Sequence, residues 1–168
     1  MMLALGLLLI GALSRFLPHA MNFSPVIAIA FFGGVYLRRS QALWVPLALM
    51  AVTDIFLGLH ATIPFTWSSM LLVSLLGLKL RENVTPVRMM AGAVVSAGVF
   101  FIITNFGAWL AFYPKTMPGL KECYILAIPF FRMSLVSTVV YSVVLFGVYE
   151  LVARRVRATR LAAVLLEK

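Results

Sequence analysis

The chain has 168 residues, 63% of them hydrophobic and only 11% charged, with a mean hydropathy of +1.06. A water-soluble domain is usually about half apolar, so the excess excludes an ordinary soluble fold and makes lipid the solvent of the outer surface. The net charge of +9 does not mark a nucleic-acid binder, because the basic residues sit at the ends of apolar runs, where membrane topology places them.

The alternation of an outer-membrane barrel is absent, so helices are the spanning elements to expect. The first apolar segment is Met2–Phe16. It lacks the positive leading region of a signal peptide and other spans follow it, so it reads as a first helix. After it comes RFLPHAMNFSP, Arg15 to Pro25, which holds an arginine, two prolines, a histidine and an asparagine. That is more chemistry than a turn between two helices requires.

The second segment runs from about Met21 to Leu37, the third from Ala42 to Leu59 and the fourth from Ile63 to Leu78. The fifth is Val87 to Phe112 and the sixth Tyr124 to Val152. A crossing needs about 20 apolar residues for the ~30 Å hydrocarbon core. The first and fourth look short for that, while the last two are long enough to tilt. The expectation is one all-α transmembrane domain over residues 1–168, with six transmembrane helices. Residues 152–168 form a basic, amphipathic tail suited to an inner leaflet.

With six spans both termini share a side with Arg38, Arg39, Lys79, Arg81, Arg88, Arg154, Arg155, Arg157, Arg160 and Lys168, ten of the 14 Lys and Arg residues. The opposite side holds Arg15, Lys115 and Lys121, and Arg132 lies inside the sixth segment. The excess of basic residues places both termini in the cytoplasm. RFLPHAMNFSP, GLHATIP and YPKTMPGLKECY then face outward. They carry five of the eight prolines, both histidines and the one cysteine. Prolines stop helices, and irregular backbone at membrane depth is tolerated where it lines a cavity. These loops are therefore expected to wall an outward pocket.

Asp54 is the only acidic residue within the third segment's apolar run AVTDIFLGLH. A buried carboxylate needs a partner, and Arg15 and Arg132 are the candidates. The residue serves either as a structural ion pair or as a polar ligand contact. His19 reads as an interfacial histidine. His60, just beyond the Asp54 segment, reads equally as interfacial or as a ligand contact. No HExxH pattern or His/Cys cluster occurs, so no protein-only metal centre is expected. One axial ligand to a metal already held in a macrocycle, from His60 or Cys123, stays open. Cys123 alone excludes an internal disulfide and otherwise reads as a packed thiol.

Phe23, Phe65, Trp67, Phe106, Trp109, Phe112 and Tyr113 gather near the outer interface, either as an aromatic belt or as faces for a planar ligand. Asn22 in MNFSP and Asn105 in TNFGAW each place an amide in an apolar setting and are expected to face one pocket. The candidate ligand set is therefore Arg15, Asn22, Asp54, His60, Asn105, Trp109 and Arg132. Ala30 with Gly34, Gly92 with Ser96, and Ala93 with Ala97 fit small-xxx-small spacing for close helix packing.

The strings RFLPHAMNFSPVIAIAFFGG, VPLALMAVTDIFLGLH and TNFGAWLAFYPKTMPGLKECYILAIPFFR resemble a family of small bacterial membrane proteins of unknown function. That family is similar in size and helix plan to the S components of energy-coupling-factor (ECF) vitamin transporters. The resemblance implies a substrate-binding membrane protein that takes up a small molecule from outside. A vitamin such as cobalamin is one such ligand, and His60 or Cys123 would then reach the corrinoid cobalt. It also implies a transmembrane coupling subunit and ATPases as partners, although the Ala-rich coupling pattern of S components is not clear in the first segment.

A second reading is an accessory subunit of a respiratory or photosynthetic membrane complex that contacts a pigment, haem or lipid. Enzyme activity is not expected. No nucleophile–base pairing, acidic metal motif or GxxxxGK[ST] loop occurs in the sequence.

Overall fold

A computed structural model describes residues 1–18 and 20–166; among these the secondary structure is entirely helical. Helices α1 (Met2–Leu13), α2 (Val26–Tyr36) and α3 (Trp44–Leu57) are followed by α4 (Ile63–Leu80), α5 (Pro86–Phe112), α6 (Met117–Val156) and a short α7 (Leu161–Leu165). A 3₁₀ turn, Ser14–Phe16, extends α1. Three helices, α4, α5 and α6, are long and apolar enough to cross a membrane, which marks the chain as a membrane protein.

The first three helices have 12, 11 and 14 residues, roughly 18, 17 and 21 Å at the helical rise. Each falls short of the ~30 Å core on its own. The second segment is shorter than the sequence pattern indicates. Residues 21–25 are irregular, and Asn22 takes the left-handed conformation (φ 61°) that asparagine tolerates better than most residues. The sixth is longer. It begins at Met117, capped by Thr116, whose hydroxyl accepts from the Gly119 amide at 3.3 Å.

All eleven residues of α2 are buried. A helix that is apolar all round belongs inside a protein, and here α4, α5 and α6 pack against it. Close approach of α2 to α4 depends on two glycines. A Cβ on Gly34 would run into the Ser74 carbonyl and lie 2.9 Å from Gly77 Cα, and one on Gly77 would meet the Phe31 carbonyl. The Ser74 hydroxyl donates to the Ala30 carbonyl at 3.1 Å, stitching the same contact. Ala93, Ser96 and Ala97 of α5 are fully buried, and Gly92 leaves room for the Phe31 ring.

The two ends of the bundle differ. The amino group of Met1 donates to the Leu165 carbonyl at 2.7 Å, bringing the start of the chain beside the end of α7. At this end Arg81 donates to the Leu37 carbonyl (2.8 Å), satisfying backbone just beyond α2. Tyr36 donates to Glu150 (2.9 Å), beside packed rings of Phe32, Phe146 and Tyr149. The opposite end gathers the 3₁₀ turn, residues 20–25, the α3–α4 connection and the α5–α6 connection.

Candidate functional site

At that opposite end the 3₁₀ turn carries Arg15 across to α3. Its guanidinium meets Asp54 Oδ1 at 2.7 Å and also donates to the Thr53 hydroxyl and, at 3.4 Å, to the Met50 sulfur. Thr53 sits within reach of the Leu49 and Met50 carbonyls at 2.9 and 3.0 Å. The other carboxylate oxygen of Asp54 accepts from the Trp67 indole of α4 at 3.0 Å. The Asp54 side chain is only 6% exposed and that of Arg15 12%. A charge this deep requires such pairing. The clasp joins the 3₁₀ turn, α3 and α4.

Behind the clasp lies a cleft of about 370 Å³. Arg15, Asn22 and Ser24 line it from the first connection, Met50 and Asp54 from α3, and His60, Thr62 and Thr66 from the α3–α4 turn and the start of α4. Phe100, Thr104 and Asn105 of α5 and Ser134 and Ser137 of α6 close the far wall. A second cleft of about 380 Å³ shares Asn22, Phe100, Thr104, Asn105 and Ser134 and extends toward Phe101, Phe130 and Phe131. Both asparagines of the two Asn-Phe pairs therefore border both clefts. The Asn105 amide donates back to the Phe101 carbonyl at 2.8 Å. The backbone carbonyl of Asn22 accepts from Ser137 at 3.4 Å, which ties the first connection to α6.

Of the seven candidates, Arg15, Asn22, Asp54, His60 and Asn105 come together around this cleft. Two do not. Trp109 donates its indole to the Pro114 carbonyl (2.9 Å), and Lys115 donates to the Trp109 and Tyr113 carbonyls at 3.0 and 2.9 Å. That residue braces the α5–α6 connection. Arg132 is exposed on α6, outside both clefts, so the partner of Asp54 is Arg15.

His60 is exposed at the cleft, with Nδ1 2.9 Å from the Thr62 hydroxyl. Cys123 is 1% exposed, lies outside both clefts and donates its thiol to the Asn105 backbone carbonyl at 3.4 Å. A macrocycle metal in the cleft would thus find an imidazole and no thiolate. No group of three His, Cys, Asp or Glu residues gathers among the described residues. His19 lies outside the described residues.

Sequence reasoning missed the hydroxyl lining. Ser134 and Ser137 lie three apart, on one face of α6, and Thr104 adjoins Asn105; this spacing was the available signal. Nor does the sequence single out Trp67, which reads there as a belt aromatic or a face for a planar ligand, as the indole partner of Asp54. Chemically, the clasp neutralises its own two charges. The groups left to a ligand are hydroxyls, amides, an imidazole and the ring of Phe100.

The chain belongs to a protein family described as a family of unknown function (DUF6580), whose model matches residues 1–161. No curated protein and no solved structure matches it.

Proposed function

We propose that this protein is a small-molecule-binding membrane protein that takes its ligand from the outer side of a bacterial cytoplasmic membrane, in the manner of an ECF S component. The reading gives it six crossings with both termini in the cytoplasm. The three short helices complete their crossings with the 3₁₀ turn and the irregular connections, and α2 does so within the protein interior. The observation that carries the reading is the polar cleft at the end opposite Met1 and α7. Hydroxyls, amides, an imidazole and a buried ion pair line one cleft there, whereas the buried polar side chains elsewhere, Ser69, Ser74, Ser96, Thr138 and Ser142, are hydroxyls only. Intramembrane polar groups are costly and gather where a ligand or ion is handled. The basic residues concentrate at the other end, which supports the orientation.

A transmembrane coupling partner with ATPases would supply the energy for uptake. Native mass spectrometry of the gently solubilised protein, with an absorption spectrum of the same sample, tests the reading. A monomer carrying one small molecule is the expected result. A fixed-ratio assembly with other membrane subunits and no small molecule would replace this reading with that of an accessory subunit.

A further inference from the structure

A separate groove of about 290 Å³ opens at the end where Met1 meets α7, between the start of α5 and the last third of α6. Its apolar lining includes Met89, Phe146 and Gly147. Its rim carries Glu150 and Arg154. Along α6 these residues follow one face, from Phe146 and Gly147 to Glu150 and then Arg154 nearest the helix end, so polarity rises toward the membrane surface. We propose that this groove is a binding site for an anionic phospholipid of the leaflet on this side. One acyl chain would lie against Phe146 and Met89, with the phosphate held by Arg154.

Three observations carry the assignment. First, the groove lies chiefly between α5 and α6, both long and apolar enough to cross a membrane, which puts acyl chains within reach of it. Second, the groove is bare of side chain at Gly147. A Cβ there would meet nothing within 4 Å, whereas the neighbouring residues of α6, Val143, Val144, Val148 and Leu151, are bulky and exposed.

Third, the charges select the headgroup. Glu150 is already engaged, accepting from Tyr36 at 2.9 Å and lying 4.0 Å from the Arg157 guanidinium. Arg154 has no hydrogen-bond or ion-pair partner among the described residues, and Arg155 and Arg157 add positive charge nearby. A guanidinium matches a phosphate bidentately, and basic pockets between transmembrane helices favour acidic headgroups. A choline headgroup presents a cation of its own to this cluster and gains less.

Native mass spectrometry of the full chain released from micelles containing phosphatidylglycerol or phosphatidylcholine of matched acyl chains tests the proposal. One phosphatidylglycerol should stay bound under collisional activation that strips phosphatidylcholine. Arg154→Gln should lower phosphatidylglycerol retention about fivefold, the worth of one well-placed basic residue at a membrane surface. Arg155→Gln, a neighbour that does not line the groove, should leave retention unchanged. Gly147→Leu should lower retention of both lipids, with circular dichroism checking its fold.

Equal retention of the two lipids overturns the proposal. So does an Arg155→Gln loss as large as that of Arg154→Gln, which would mean diffuse surface charge. Full displacement by soluble glycerol phosphate also overturns it, because the acyl chain would then contribute nothing.

Discussion

Breaking the Arg15–Asp54 clasp should destabilise the protein by an amount the geometry sets. Asp54→Ala removes a 2.7 Å charge-assisted bond to Arg15 and a 3.0 Å bond from the Trp67 indole. It leaves a guanidinium 12% exposed, with only the Thr53 hydroxyl and the Met50 sulfur as partners. Truncating one member of a buried pair typically costs about 3–5 kcal/mol, so Asp54→Ala should fall in that range. Asp54→Asn keeps a carbonyl oxygen to accept from Trp67 but loses the charge, and should cost about 2 kcal/mol.

In a double-mutant cycle, Asp54→Asn and Arg15→Gln should couple by about 2 kcal/mol, because each leaves the other group unpaired. Arg132→Gln, at an exposed position, should stay within about 0.5 kcal/mol and show no coupling to Asp54. The assay is equilibrium unfolding in mixed micelles, followed by far-ultraviolet circular dichroism. Coupling below about 0.5 kcal/mol between Arg15 and Asp54, or a cost at Arg132 equal to that at Arg15, would refute the assignment of the pair.

Gly34→Ala should destabilise by about 1–3 kcal/mol, since the new methyl meets the backbone of α4. Gly98→Ala, where a Cβ meets nothing within 4 Å, should be neutral or stabilise by up to about 1 kcal/mol through helix propensity; the same unfolding assay separates them. Cys123 should resist a membrane-permeant maleimide in the folded protein and react fully once it is denatured, as read by intact mass. On a Cys123→Ala background, His60→Cys should be labelled in intact cells by an impermeant maleimide and Arg155→Cys only after lysis. The reverse pattern would invert the topology on which uptake from outside depends.

The long helices were legible because α5 and the stretch of α6 from Tyr124 onward are long, predominantly apolar runs. The starts of α2 and α6 were not. Hydropathy alone does not distinguish Met21–Pro25, an irregular strap, from the helix after it, nor does it extend α6 back through the polar stretch from Met117 to Cys123. That Asp54 needed a cation was readable from its apolar setting. Which cation it took was not, because Arg15 and Arg132 both interrupt apolar sequence. The answer depends on a 3₁₀ turn aiming Arg15 at α3, while the register of α6 turns Arg132 outward. Similarly, Trp109 and Trp67 look alike as interfacial aromatics. Only the packing of α4 beside α3 brings the Trp67 indole to a carboxylate. The hydroxyl wall escaped notice because serine and threonine are common in membrane helices and usually bond their own backbone, as Thr104 does with the Phe100 carbonyl at 2.8 Å.

The most direct measurement of the central claim compares the wild type with a cleft-filled variant, Thr104→Leu with Ser134→Leu, by native mass spectrometry after identical mild solubilisation. Both positions border both clefts and neither touches the Arg15–Asp54 clasp. The account predicts a stoichiometric small molecule on the wild-type monomer and none on the variant, with equal helix content in the two. A small molecule retained undiminished by the folded variant, or a wild-type chain found only in a fixed assembly without one, would contradict it.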